Sequence, residues 1–506
     1  MKKPTLRHCF ASLVVLAPLS MTAAAHDQEL DIAAGKSEIS ADPTGLIQTI
    51  NAGGRANNKG AFFQSLGTNG RSCSTCHVAD QAMSISPPQI RERFSETRGR
   101  DPLFASVDGA NCANAKTGDA AAHSLLLSHG LIRIALPLPA GAEFQVTVVH
   151  DPYGCALVKD PKTGQMILST YRRPLPSTNL RFLSTMMWDG RESPVTSPLN
   201  NADTITKNMT TDLTQQAKDA VATHAQGTVV PSQQQINEIL AFEQGLTTAQ
   251  IYDDSAGVLD REGAIGGARH LAAETYYPSI NDVLGADMLH VAFDETSMTL
   301  FAAWENGGDP SRDYGRDRHR QRAARSDIAA GEALFNTAPV TISAVRGLND
   351  NAALGNPVSF KGTCTTCHDA PNVGDHSLPL PLDIGLAHSP RAGLEIDPSI
   401  EKGIAELNEP DLPVFLVTNC SPTPFGAGQP VSFYTTDLGK AMITGLCSDL
   451  NRVKGPVLRG LAARAPYFHN GAAATLLQAV NFYNQRFEMN LTEKQKQQLV
   501  AFLNSL

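Results

Sequence analysis

Two stretches carry the same set of reactive side chains at the same spacing: Cys73-Ser74-Thr75-Cys76-His77 and Cys364-Thr365-Thr366-Cys367-His368. In a C-x-x-C-H pattern, two thiols one turn apart add to the two vinyl groups of one haem, and the adjacent imidazole reaches the iron. The spacing points to two covalently bound c-type haems. Cys73, Cys76, Cys364 and Cys367 would be the thioether anchors, and His77 and His368 the iron ligands. A zinc site made from both C-x-x-C pairs is the rival. It would need the pairs to meet across the long interval between Cys76 and Cys364, and it leaves both histidines without a role.

The remaining chain must supply an export route and a scaffold. Lys2, Lys3 and Arg7 precede an apolar run from Phe10 to about Leu19, and Ala23-Ala24-Ala25 follows. This order reads as a signal peptide over residues 1–25, and the run is short for a bilayer span. Export suits haem attachment, which takes place outside the cytoplasm, and it suits disulfides. Cys112, Cys155, Cys420 and Cys447 allow three pairings. Cys112–Cys155 and Cys420–Cys447 are preferred because each closes a local loop. The 506-residue chain carries a net charge of −9, which becomes more negative once the three basic residues leave. Nucleic acid is therefore a poor partner, and no second stretch is apolar enough to cross a membrane.

Residues 26–60 are polar and read as irregular or weakly helical. Leu131–Leu136 and Glu143–Val149 alternate or run β-branched and read as an inserted hairpin. Residues 211–226 and 232–250 have helical periodicity, and Ile236, Ile239, Leu240 and Phe242 give the second a compact apolar face. Arg316, Arg318, Arg320, Arg322 and Arg325 form a charged stretch, read as a solvated face rather than a docking patch. Ser326-Asp327 then reads as a helix start and the domain boundary. Two helices, around 473–487 and 492–505, close the chain.

Four segments in order resemble the bacterial di-haem cytochrome c peroxidases, a family that includes the methylamine-utilisation enzyme MauG. They are the two haem motifs, Trp188-Asp189-Gly190-Arg191, and Pro456-Val457-Leu458-Arg459-Gly460 with Ala465-Pro466-Tyr467-Phe468-His469-Asn470-Gly471. The resemblance implies a mainly α fold of two cytochrome c-type domains, with the β-hairpin region inserted in the first. Residues 26–325 would be the peroxidatic domain and residues 326–506 the electron-transfer domain. It further implies a periplasmic enzyme that reduces hydrogen peroxide with electrons from a small cytochrome c or copper protein. A calcium ion would lie near the domain interface, with ligands unassigned, and homodimerisation stays open. Trp188 would bridge the haems, although a core tryptophan is the bland reading. Arg459 would pair with a haem propionate.

The chain also departs from that pattern. Tyr483 stands where classical members place a distal methionine, as in MauG-like members. Leu476, Val480 and Tyr483 share one helix face, so Tyr483 points inward as ligand or as core, and Met489 is the alternative ligand. No histidine lies between His77 and Cys112 to block the first iron. No glutamate falls where the family's distal acid is expected, which leaves His224 as the candidate acid–base group, or else an exposed helix histidine. Three functions remain: peroxide reductase, MauG-like oxidase of a protein or organic substrate, and plain electron carrier.

Overall fold

The computed structural model describes residues 37–51, 59–193, 202–308, 317–368, 373–374, 380–389, 397–420 and 431–506. The expected signal peptide lies outside them, as do Arg312 and Arg316. In chain order the first elements are strands β1 (Ser37–Asp42) and β2 (Gly45–Asn51), and helices α1 (Pro87–Thr97) and α2 (Ser124–His129). Four strands follow: β3 (Ile132–Pro137), β4 (Gln145–His150), β5 (Leu157–Lys159) and β6 (Met166–Arg172). Helices α3 (Ala202–Ala222) and α4 (Gln233–Gly245) lead into β7 (Leu246–Asp253), β8 (Gly257–Val258) and α5 (Ala268–Ala273). The second half holds α6 (Asp317–Thr337), β9 (Val340–Ser343), β10 (Ser359–Gly362), α7 (Pro398–Ile404), β11 (Val414–Cys420) and β12 (Val431–Thr435). It closes with α8 (Ala441–Thr444), α9 (Leu476–Arg486) and α10 (Glu493–Asn504).

The expectation of a mainly α fold is wrong: the chain is 33% helical and 18% strand. The described strands form four sheets, ordered β1-β2-β7-β8, β3-β6-β5, β12-β11-β4 and β10-β9. Residues 37–51, expected to be irregular, make a hairpin whose turn is closed by Asp42 accepting the Thr44 amide at 2.8 Å. The helix expected through residue 250 stops at Gly245. There Leu246, Thr247 and Thr248 pair with β2 instead, because β-branched side chains pack better on a pleated surface than in a helix.

The expected hairpin of Leu131–Leu136 with Glu143–Val149 does not form either. β3 pairs with β6, whereas β4 pairs with β11 from the other half of the chain. Local alternation identified both strands, but strand partners are chosen by long-range packing. Cys112 lies at disulfide distance from Cys155, and Cys420 from Cys447, with Cα separations of 6.0 and 5.5 Å. Cys420 and Cys447 sit in a buried cluster with Phe144, Leu168, Phe415 and Val417, so the β3-β6-β5 and β12-β11-β4 sheets share one core.

The helix expected to open at Ser326 opens at Asp317. α10 packs on α6, and its start is capped by Thr492, which accepts the Gln495 amide. A buried ionic group ties early and late segments together. Arg172 reaches Asp189 at 2.5 Å and both carboxylate oxygens of Asp437 at 2.6 and 2.8 Å. Burial alone would raise both acids, but the facing Arg172 outweighs it and holds them below the usual carboxylate range. Removing one partner of such a group costs about 3–5 kcal/mol, since the other charge stays buried.

Candidate functional site

Each C-x-x-C-H motif forms a short 3-10 turn whose preceding Ser72 or Thr363 makes a reciprocal cap with Thr75 or Thr366. The cap fixes the turn, and the turn sets both cysteines and the histidine on the wall of a cavity. The first cavity, about 1440 Å³ of empty space, is lined by Cys73, Cys76 and His77. The second, about 1460 Å³, is lined by Cys364, Cys367 and His368.

The two histidines are oriented in the same way. His77 Nδ1 donates to the Met83 carbonyl at 3.0 Å, and His368 Nδ1 donates to the Gly374 carbonyl at 2.9 Å. A backbone acceptor on one ring nitrogen fixes the tautomer and leaves Nε2 as the ligand, the usual arrangement of a metal-bound histidine. Burial pushes the His77 pKa down, which favours the neutral ring that a metal requires. Burial also pushes the Cys73, Cys76 and Cys364 thiols up. Reactive redox thiols are shifted the other way. The two cysteine pairs line different cavities, so they do not meet as a four-cysteine zinc site would require. The residues present fit a covalently attached haem at each motif.

Trp188 lies on the walls of both cavities. It is 9% exposed, its indole Nε1 donates to the Arg173 carbonyl at 2.7 Å, and its ring meets His469 edge-on at 6.1 Å. Lys454, 3% exposed, also lines both. His469 is buried against the second cavity, and burial lowers its pKa to about 4, so its ring is neutral.

His224 lies just beyond α3 on the wall of the first cavity. Its Nδ1 meets Asp108 Oδ2, and the other Asp108 oxygen takes Arg71. Arg71 also donates to the Pro102 and Leu103 carbonyls, both at 2.7 Å. Burial works against the Asp108 carboxylate, but His224 and Arg71 together keep its pKa below the usual range. His224 is thus a half-exposed imidazole held by a buried carboxylate, and not a loose surface histidine.

Glu243 escaped the sequence reading. This α4 residue lies on the first cavity wall, 4% exposed, with one carboxyl oxygen accepting from Ser177 Oγ at 2.7 Å. The other oxygen has no hydrogen-bond partner, and burial raises the pKa to about 7. The available signal was a lone acid on the apolar face formed by Ile236, Ile239 and Leu240.

Tyr483 and Met489 both line the second cavity. The Tyr483 ring stands edge-on to His368 at 6.4 Å and stacks on Phe487 at 5.7 Å. Burial pushes its phenol up. Arg459 is buried but lies on neither wall; burial lowers its pKa to about 10, partly offset by Glu274 and Glu332. Among the described residues no three His, Cys, Asp or Glu side chains gather as a metal site, so the calcium ion implied by the resemblance has no assigned ligands. None of the described helices is long and apolar enough to cross a membrane.

No family model matches the chain. Over 154 residues it is 32% identical to the cytochrome-c peroxidase IdrP2 of Denitromonas iodatirespirans, covering 29% of this chain and 36% of that protein. Over 83 residues it is 36% identical to the cytochrome c551 peroxidase of Nitrosomonas europaea, covering 16% and 25%. The chain is a distant relative of cytochrome c peroxidases. The matches span well under half of either relative. A solved hydrazine synthase of Kuenenia stuttgartiensis, pressurised with xenon, aligns over 83% of this chain and 93% of its own at 12% identity. The TM-score of that alignment is 0.30.

Proposed function

We propose that this chain is a periplasmic di-haem c-type oxidoreductase that reduces hydrogen peroxide with electrons from a small cytochrome c or copper protein. The observation that carries the reading is Trp188, one indole on the walls of two cavities that each present a C-x-x-C-H motif. Bound haem would supply peroxide binding at the first site and electron storage at the second. Cys73, Cys76 and His77 would hold one group, and Cys364, Cys367 and His368 the other. The likeness to cytochrome c peroxidases supports the same chemistry.

The protein's own part is positioning and proton handling. Peroxide cleavage needs a proton moved from the near to the far oxygen. His224 is a group on the first wall suited to that task, because Asp108 fixes its ring. Trp188 is held rigidly by its bond to the Arg173 carbonyl, which suits an electron bridge. The hydrophobic packing around the second cavity, including Phe335, Leu499 and Phe487, would exclude water from the storage site.

Tyr483 supports a second reading, a MauG-like oxidase of a protein or organic substrate. A phenolate on iron favours the ferric state, whereas methionine raises the potential. A plain electron carrier is the weakest of the three, since it gives His224 and Asp108 no task. The test is a haem count by pyridine haemochrome and mass spectrometry, followed by peroxide-dependent oxidation of a reduced small cytochrome. Two haems and turnover are expected. One haem, or bound zinc, would overturn the reading.

A further inference from the structure

The second cavity differs from the first in how little charge its wall carries. Histidines aside, Lys454 is the one formally charged residue among those lining it, and Lys454 also lines the first cavity. Its backbone is pinned. The Lys454 amide donates to the Trp188 carbonyl at 2.8 Å, and Val453 exchanges hydrogen bonds with Leu382 at 2.9 and 3.0 Å. Lys454 Nζ donates to the Gly455 carbonyl at 3.0 Å, which keeps the ammonium beside the wall rather than in solvent. A buried lysine is costly to keep charged. Its position between the two cavities is where one cation acts on both.

We propose that Lys454 is a positioning residue shared by the two haem sites, where its single charge raises both reduction potentials. The inference rests on the two-haem reading above. The physics is Coulombic. Reduction of ferric iron removes one positive charge from the site, so a nearby cation favours the reduced form and raises the potential. The effect is larger in a dry interior than in water. A cation on one wall alone would tune one site. Arg191, which lines the first cavity only and pairs with Asp189 at 2.9 Å, provides the contrast.

The experiment is a spectroelectrochemical titration of the intact, haem-loaded protein, with both midpoint potentials resolved. Lys454→Gln is expected to lower both, Lys454→Arg to keep both near the wild-type values, and Arg191→Gln to lower the first only. If Lys454→Gln fails to load two haems, Lys454→Met, which keeps the apolar stem and drops the charged head, takes its place in the same titration. A shift at one haem only, no shift at either, or an arginine variant that behaves like glutamine would each overturn the proposal. A wild-type chain with fewer than two haems would instead fail the reading beneath it, before any variant is compared.

Discussion

The two cavities share a motif, a capped turn and a histidine tied to a backbone carbonyl six residues on, yet their walls do different things. The first wall carries Arg71, Arg173, Arg191, Asp108, Glu243 and His224. The second is built from Phe, Leu, Ile and Val side chains around Tyr483 and Met489. Preorganised charges and titratable groups stabilise developing charge and move protons, while an apolar wall does neither. The motif therefore fixes what is held, and the wall decides what the held group is used for. On that basis we propose the first cavity as the reactive site and the second as the electron store.

The largest effects should come from removing one anchor pair at a time. Replacing Cys73 and Cys76 with alanine should leave one haem per chain and abolish peroxide turnover. Replacing Cys364 and Cys367 should also leave one haem, but the first site should still show a Soret change on mixing with peroxide while donor-driven turnover is lost. If the first double variant retained turnover, the roles assigned to the two walls would be reversed.

Next comes the proton-handling group. His224→Ala should lower kcat/KM for peroxide by about a hundredfold, the low end for general acid–base catalysis. Haem content should not change, because Asp108 keeps its partner Arg71. A variant with an unaltered pH–rate profile would return His224 to a structural role. Trp188→Phe should act more weakly. It keeps most of the buried ring but loses the indole bond to Arg173, and turnover should fall by about tenfold, or 1.4 kcal/mol of barrier. An unchanged rate with a small cytochrome donor would make Trp188 a core residue.

Both motifs, the Trp188 segment and the closing helices were legible because their signals are local. C-x-x-C-H is written in consecutive residues, and α10 announces itself by Thr492 and the apolar spacing of Leu499 and Phe502. The sheets were not. β4 reads as a strand by alternation, but nothing near Gln145 says that its partner is Val414–Cys420. β7 was lost inside a helical stretch because a run such as Leu246-Thr247-Thr248 is decided by the sheet that receives it. Glu243 was missed for a related reason. Its helix face was recognised as core, and a core acid becomes informative only when the cavity beside it is known.

The smallest and most discriminating effect concerns Tyr483 against Met489. Both lie on the second wall, Met489 buried and Tyr483 partly buried. The Tyr483 ring is set edge-on to His368 at 6.4 Å and stacks on Phe487, which places it beside the ring that would hold the iron. Burial favours the neutral phenol, so ligation would have to supply the energy of deprotonation, which ferric iron would do for a hard oxygen donor and ferrous iron would do poorly. Tyr483→Phe should then leave haem count and thermal stability nearly unchanged, remove any phenolate-to-iron absorption band and raise the potential of the second site. Met489→Leu, a volume-conserving change that typically costs less than about 1.5 kcal/mol, should alter neither spectrum nor potential. If the methionine variant shifts the spectrum and the phenylalanine variant does not, Tyr483 is packing. The second site would then be the higher-potential, methionine-ligated kind, and the peroxide reductase reading would gain over the oxidase.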